Sequence, residues 1–172
     1  MDEVRLRPAR GGDGAGVARC WVDAGEYYAD LDPDAFQKPA SDGLAEWFEQ
    51  LLREPRSDDE LWLVADAGGQ AVGFVTARLQ RPDGDAARQL VRDMGRIRVA
   101  VDALMVDARY RRRGIGTLLL RSVEEWARRN GATLVFLDTY VASPISVPFY
   151  ERRMGYARRS VRFQKRLPWV RP

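Results

Sequence analysis

One stretch of the chain combines residue types that bind anions. Arg111-Arg112-Arg113-Gly114-Ile115-Gly116-Thr117 follows an apolar run, Ile97 to Val106, and leads into a segment of helical period, Thr117 to Asn130. The first N–H groups of a helix lack intrahelical partners and sit at the positive end of its dipole, so such a junction suits a phosphate. Gly114 and Gly116 lack Cβ atoms and allow close approach of the backbone, and the three arginines add cationic donors. The nucleoside-triphosphate loop pattern requires an earlier Gly and a Lys that are missing, and the dinucleotide fingerprint requires a third Gly where Leu119 stands.

Composition narrows the remaining chemistry. Histidine is absent from the 172 residues, which excludes Ser-His and Cys-His nucleophiles and histidine-ligated metals. The single cysteine, Cys20, excludes an intramolecular disulfide, fits a reducing compartment, and falls at a core position of an early helix. With 45% hydrophobic and 31% charged residues, the chain has the balance of a globular protein, and no run reaches the ~18 apolar residues of a membrane span. The opening Met1-Asp2-Glu3-Val4-Arg5 is unlike a secretory signal, so a cytoplasmic location is expected. Charge is segregated: twelve acids face three bases between Trp21 and Glu60, and fifteen bases face four acids between Arg109 and Pro172. The bland reading is two solvated surfaces; the functional one is a cation-preferring half and an anion-preferring half.

The elements that position these residues follow from periodicity. Val4, Leu6 and Pro8 predict a first strand. Asp13 is placed to cap a helix to about Tyr28, and Ser41 to cap a second helix ended by Pro55. Leu61 to Ala67 and Ala71 to Leu79 predict a hairpin about Gly68-Gly69, followed by a polar stretch from Gln80 to Gly95. Ile97 to Val106 predicts a buried strand, and Thr117 to Asn130 a helix stopped by Gly131. Beyond it come a strand at Leu134 to Leu137, a short helix at Ile145 to Arg153, and a last strand at Tyr156 to Leu167. The expected domain is a single α/β unit over residues 1–172, in the order β-αα-β-β-β-α-β-α-β.

The R-x-x-G-x-G run after a strand resembles motif A of the GCN5-related N-acetyltransferases (GNAT). Phe149-Tyr150-Glu151-Arg152-Arg153-Met154-Gly155-Tyr156 is similar to that family's later Tyr-Gly motif, with one extra residue between Tyr and Gly. The resemblance spans roughly Val99 to Tyr156 and implies the GNAT fold, a central mixed and mostly antiparallel sheet flanked by helices. It implies acetyl-CoA as co-substrate, with no metal. Backbone groups of Leu104, Met105 and Val106 would pair with the pantetheine arm, one N–H serving as an oxyanion donor. Arg111 and the N–H groups of Arg112, Arg113, Gly114, Ile115, Gly116 and Thr117 would hold the pyrophosphate, and Tyr150 would act as general acid at the thioester sulfur. Ser143 stands where the family often has Asn, and would contact the pantetheine arm; Ser146 replaces a frequent Ala.

An amine acceptor with pKa near 10.4 is about one part in 10³ neutral at pH 7, so a proton acceptor is needed. Asp102, on the strand where relatives often place Glu, is the candidate; its alternative is a carboxylate satisfied by Arg98 or Arg96. On the acidic side Glu26, Tyr27, Tyr28 and Asp30, with Asp32 and Asp34 beyond, would meet a cationic acceptor. The leading expectation is transfer of acetyl to a primary amine of a small molecule or peptide, by direct attack in a ternary complex. A non-catalytic acyl-CoA sensor on the same fold is a second class. A nucleic-acid binder is a third, disfavoured by the acidic segment, and no membrane partner is expected. The family also pairs through edge strands or the C-terminal segment, so a homodimer through Phe163, Leu167, Trp169 and Val170 is possible on the resemblance.

Overall fold

A computed structural model describes residues 3–82, 84–165 and 167. The strands are β1 (Val4–Pro8), β2 (Glu60–Ala67), β3 (Gln70–Gln80), β4 (Arg98–Val106) and β5 (Leu134–Phe136). The helices are α1 (Gly14–Leu31), α2 (Leu44–Arg53), α3 (Ile115–Arg129) and a single turn α4 (Ser146–Pro148) that runs on into a π-helical turn, Phe149–Arg153. The sheet order is β1-β2-β3-β4-β5, antiparallel except for the parallel β4–β5 pair. Strand alternation feeds two cores. Val72, Val75, Val99 and Val101 pack with Leu119, Leu120 and Val123 of α3. Phe74 and Val64 face the other way, against Val17 and Cys20 of α1 and Phe48 and Leu52 of α2.

Two irregularities open the sheet. β5 pairs with β4 only over Arg98 to Ala100, and β4 continues to Val106 without it. On the other side, Thr76 pairs with Ala103 but Ala77 with Val101, which leaves Asp102 as the extra residue of a bulge. The sheet therefore parts at the C-terminal half of β4.

Several expectations need correction. Asp13 precedes α1 but makes no side-chain cap; its carboxylate is held by Arg7 at 2.7 and 2.8 Å and by the Arg10 N–H at 2.9 Å. The cap comes from α2, where Glu49 accepts from the Gly12 N–H at 2.8 and 2.9 Å and from the Gly14 N–H at 3.2 Å. Ser41 lies outside α2, which begins after a left-handed Gly43. Among the described residues, Tyr156 to Leu167 forms no strand. Tyr156 packs against the core, but the apolar positions beyond it do not: Val161, Phe163 and Leu167 are exposed. Trp169 and Val170, named for a dimer contact, lie outside the described residues.

Candidate active site

A cleft of about 1110 Å³ lies where the sheet parts. The end of β4, the start of α3, the α4 segment and the last turns of α1 form its walls. Its floor is backbone. Asp107 donates its N–H to the Val72 carbonyl at 3.0 Å, which fixes the phase of alternation at this end of β4. Leu104 and Val106 then turn their N–H and C=O groups away from β3 and toward the gap left by β5, whereas Met105 turns its groups to β3. Met105 is thus removed from the set expected to offer backbone groups to the cleft. The Val106 carbonyl already accepts from Arg111 Nε at 3.0 Å.

The junction from β4 to α3 is tightly specified. Asp107 is fully buried, and its carboxylate caps the Arg109 N–H at 2.9 Å while pairing with the Arg109 guanidinium at 2.6 and 3.0 Å. The Arg109 guanidinium holds the Asp107 carboxyl below the usual carboxylate range against the opposing effect of burial. Asp23 of α1 accepts from the Ala108 N–H at 2.7 Å. Two left-handed residues follow, Arg112 at φ 64° and Gly114 at φ 84°. For Arg112 this conformation costs about 1 kcal/mol. Alternation of handedness turns successive N–H groups to one side, in the manner of an anion nest. Among the described residues the N–H groups of Arg112 through Thr117 have no backbone acceptor, and the first amide bonded back within α3 is that of Leu118, to Gly114 at 2.9 Å. A Cβ at Gly114 would meet nothing within 4 Å, so its φ is the reason for glycine.

The facing wall carries Tyr150. It lies in the π turn, in which Met154 donates its N–H to the Phe149 carbonyl at 3.0 Å. That five-residue bond takes up the extra residue between Tyr150 and Gly155, and the left-handed Gly155 at φ 77° ends the turn. Tyr150 lines the cleft and rests edge-on against Phe149, with ring centroids 5.1 Å apart. Burial, reinforced by Tyr28, pushes its phenol above the ordinary tyrosine range.

The expected substrate and cofactor contacts separate. Tyr27 and Tyr28 line the cleft. Ser143 does not: it is buried, and its hydroxyl bonds the Tyr27 hydroxyl at 2.9 Å and accepts from the Ser146 N–H at 3.0 Å. Ser146 in turn meets the Tyr28 hydroxyl at 3.0 Å. The two serines thus tie the α1 tyrosines to α4, and Ser143, expected at the pantetheine arm, lies behind the cleft wall. Glu26 is outside the cleft wall and pairs with Lys38, and Asp30 is exposed outside it. Asp102 lines the cleft, but its partner is Arg78 rather than Arg98 or Arg96, with both carboxylate oxygens held at 2.8 Å. Arg98 instead reaches Gln80 at 2.8 Å.

Four positions that shape the cleft were not legible from sequence. Phe36 and Tyr140 join Tyr28 in the cleft wall, Phe36 and Tyr28 stacked with centroids 5.0 Å apart. Both lie in loops without periodicity. Asp23 and Asp107 were hidden among many surface acids; only the placement of Asp107 directly after a buried strand singled it out.

Comparison with known proteins agrees with this geometry. Curated relatives include an uncharacterized N-acetyltransferase of Methanocaldococcus jannaschii, 26% identical over 117 residues, covering 68% of this chain and 47% of the relative. A probable N-acetyltransferase of Danio rerio is 30% identical over 108 residues, covering 63% of this chain and 33% of its own. The chain therefore spans about half and a third of the length of these relatives. A transcriptional regulator from Bacillus halodurans C-125 superposes with a TM-score of 0.70 at 20% identity, covering 96% of this chain and 100% of the other. An aminoglycoside acetyltransferase from an uncultured soil metagenomic sample, solved with sisomicin, gives 0.60 at 17% identity, covering 96% and 97%. These structural likenesses establish the fold. The parted sheet, glycine junction and facing tyrosine all lie within residues 20–156, which match the acetyltransferase (GNAT) family model, and the chain belongs to that family.

Proposed function

We propose that the protein transfers an acetyl group from acetyl-CoA to a primary amine by direct attack, both substrates being bound together. The observation that carries this reading is the divergence of β5 after Ala100, which leaves the Leu104 and Val106 backbone facing a cleft that ends at a cluster of free N–H groups. An amide-bearing arm fits that edge as an added strand, and a diphosphate fits the amides from Arg112 to Thr117, flanked by Arg111 and Arg113. Acetyl-CoA supplies the activated acyl group as a thioester.

The chain's own residues divide the remaining work. The Leu104 N–H or the Val106 N–H donates to the acyl oxygen as negative charge develops there. Tyr150, kept neutral by burial, donates its phenolic proton toward the departing sulfur, whose thiol pKa is near 8.5 in water. Asp102 receives the amine proton through a water, because Arg78 occupies both its oxygens. Cys20 is buried in α1, away from the cleft wall, so no acyl-enzyme step is assigned to it.

The test is thiol release from acetyl-CoA across a panel of primary amines. Amine-dependent release with one acetylated product per thiol is expected. Tight coenzyme binding with no release for any amine would contradict the reading and favour a non-catalytic acyl-CoA sensor.

A further inference from the structure

The acceptor end of the cleft has a composition that differs from the acidic surface expected of it. The cleft as a whole is lined by two carboxylates, Asp102 and Asp138, and by four arginines, of which Arg111 and Arg112 stand at the diphosphate end and Arg152 and Arg153 in the π turn. Both carboxylates are already paired, Asp102 with Arg78 at 2.8 Å and Asp138 with Arg162 at 3.1 Å. The acidic residues of α1 and the following loop are directed elsewhere: Glu26 pairs with Lys38, and Asp32 accepts the Tyr140 hydroxyl at 2.7 Å. Beyond the diphosphate end, the described lining therefore offers a polycation no carboxylate that is not already paired with an arginine.

What the wall does offer is aromatic rings. Tyr28 and Phe36 are stacked at 5.0 Å and 29°, and Tyr140 stands edge-on to Phe36 at 5.0 Å and to Tyr28 at 6.5 Å. All three are half-buried and line the cleft. The tyrosine hydroxyls are tied back into the protein, Tyr28 to Ser146 at 3.0 Å and Tyr140 to Asp32 at 2.7 Å. The ring faces and edges, not the hydroxyls, are therefore left for a ligand. Such a wall gains from a further ring in stacked or edge-to-face contact and leaves the hydroxyl groups of a polyol without partners.

We infer that the acceptor is an amine bearing one ionisable nitrogen on an aromatic body, its ring seated against Tyr28, Phe36 and Tyr140. This rests on the acetyl-transfer reading, which sets the amine beside Tyr150; Tyr28 bonds Ser146, which begins the single turn of α4 directly before the π turn that carries Tyr150. Aminosugars and polyamines are the poorer acceptors on this reading, because the lining carboxylates are already paired and the Tyr28 and Tyr140 hydroxyls already bonded.

The experiment has two arms on the full chain. In the first, phenethylamine, propylamine and spermidine are titrated calorimetrically into protein saturated with coenzyme A. In the second, thiol release from acetyl-CoA is followed with the same amines and with sisomicin. Phenethylamine is expected to bind, and to exceed propylamine and spermidine in kcat/KM by about 30-fold, the gain from burying one ring. Phe36→Ala should lower the phenethylamine kcat/KM about 10-fold through KM and narrow its advantage over propylamine, whose own loss is smaller because it has no ring to seat. Equal or better transfer to spermidine or sisomicin would overturn the inference while leaving acetyl transfer intact. Binding of phenethylamine with no thiol release from any amine would overturn acetyl transfer and keep the aromatic site. Failure of phenethylamine to bind or react would overturn the inference outright.

Discussion

The Asp23 carboxylate on α1 accepts the Ala108 N–H at 2.7 Å, where β4 turns into the glycine junction. This bond ties the helix that carries Tyr27 and Tyr28 to the loop that presents the free amides. The acceptor wall and the anion site are thereby fixed in one frame. Asp23→Ala removes this anchor. We expect coenzyme affinity to fall about 10-fold with a change in stability of about 1 kcal/mol, read by calorimetry and urea unfolding. An unchanged affinity would show that the loop holds its shape without α1.

Tyr150→Phe keeps the ring packing against Phe149 and removes only the proton donor. A drop in kcat of about 10- to 100-fold with coenzyme affinity unchanged is expected. Because burial raises the Tyr150 phenol above its ordinary range, the residue stays protonated through pH 10. Wild-type turnover should accordingly keep rising to that pH as more amine becomes neutral. A decline beginning near pH 8, or full activity in the variant, would remove Tyr150 from the proposed step.

Asp102→Asn probes the proton acceptor without altering shape. The expected loss in kcat/KM is about 10-fold at pH 7 and shrinks toward pH 10, where the amine needs no base. Parallel profiles for the two proteins would reduce Asp102 to a structural partner of Arg78.

How much of this could be read beforehand depended on whether a residue's role was local. Gly114 was legible because left-handed backbone and helix initiation are properties of a few consecutive residues, and the hairpin at Gly68-Gly69 was legible for the same reason. The place of Ser143 behind the wall was not legible, because its partner Tyr27 reaches it only through tertiary packing. Asp13 and Glu49 exchanged roles likewise: both are acids near a helix start, but the one that caps α1 arrives from α2. The alternation from Tyr156 to Leu167 has strand character and no ladder to join, which local pattern cannot reveal. The extra residue after Tyr150 was visible as a spacing, yet only the π turn explains how the tyrosine and Gly155 both keep their places.

Cys20 gives a stability signature independent of catalysis. Burial, with Asp107 adding to it, pushes its thiol up to about 12. The raised folded-state value means that its contribution is complete below the unfolded thiol pKa, near 8.5, and is lost as pH rises toward the folded value. Wild-type stability should fall by up to about 1.4 kcal/mol for each pH unit above ~9, and Cys20→Ala should lack this component of the slope. Urea unfolding between pH 8 and pH 11 compares them; identical slopes would contradict burial of the thiol.

Calorimetric titration of acetyl-CoA into wild type and Gly114→Ala measures most directly whether the amides of the β4–α3 junction grip a diphosphate. The added methyl meets no atom within 4 Å, so it acts only through a backbone at φ +84° that alanine resists by about 1 kcal/mol. A single-site heat in the wild type and affinity weakened about 10-fold in the variant, with the fold retained, are the expected results. No heat in the wild type, or equal affinity in both proteins, would contradict it.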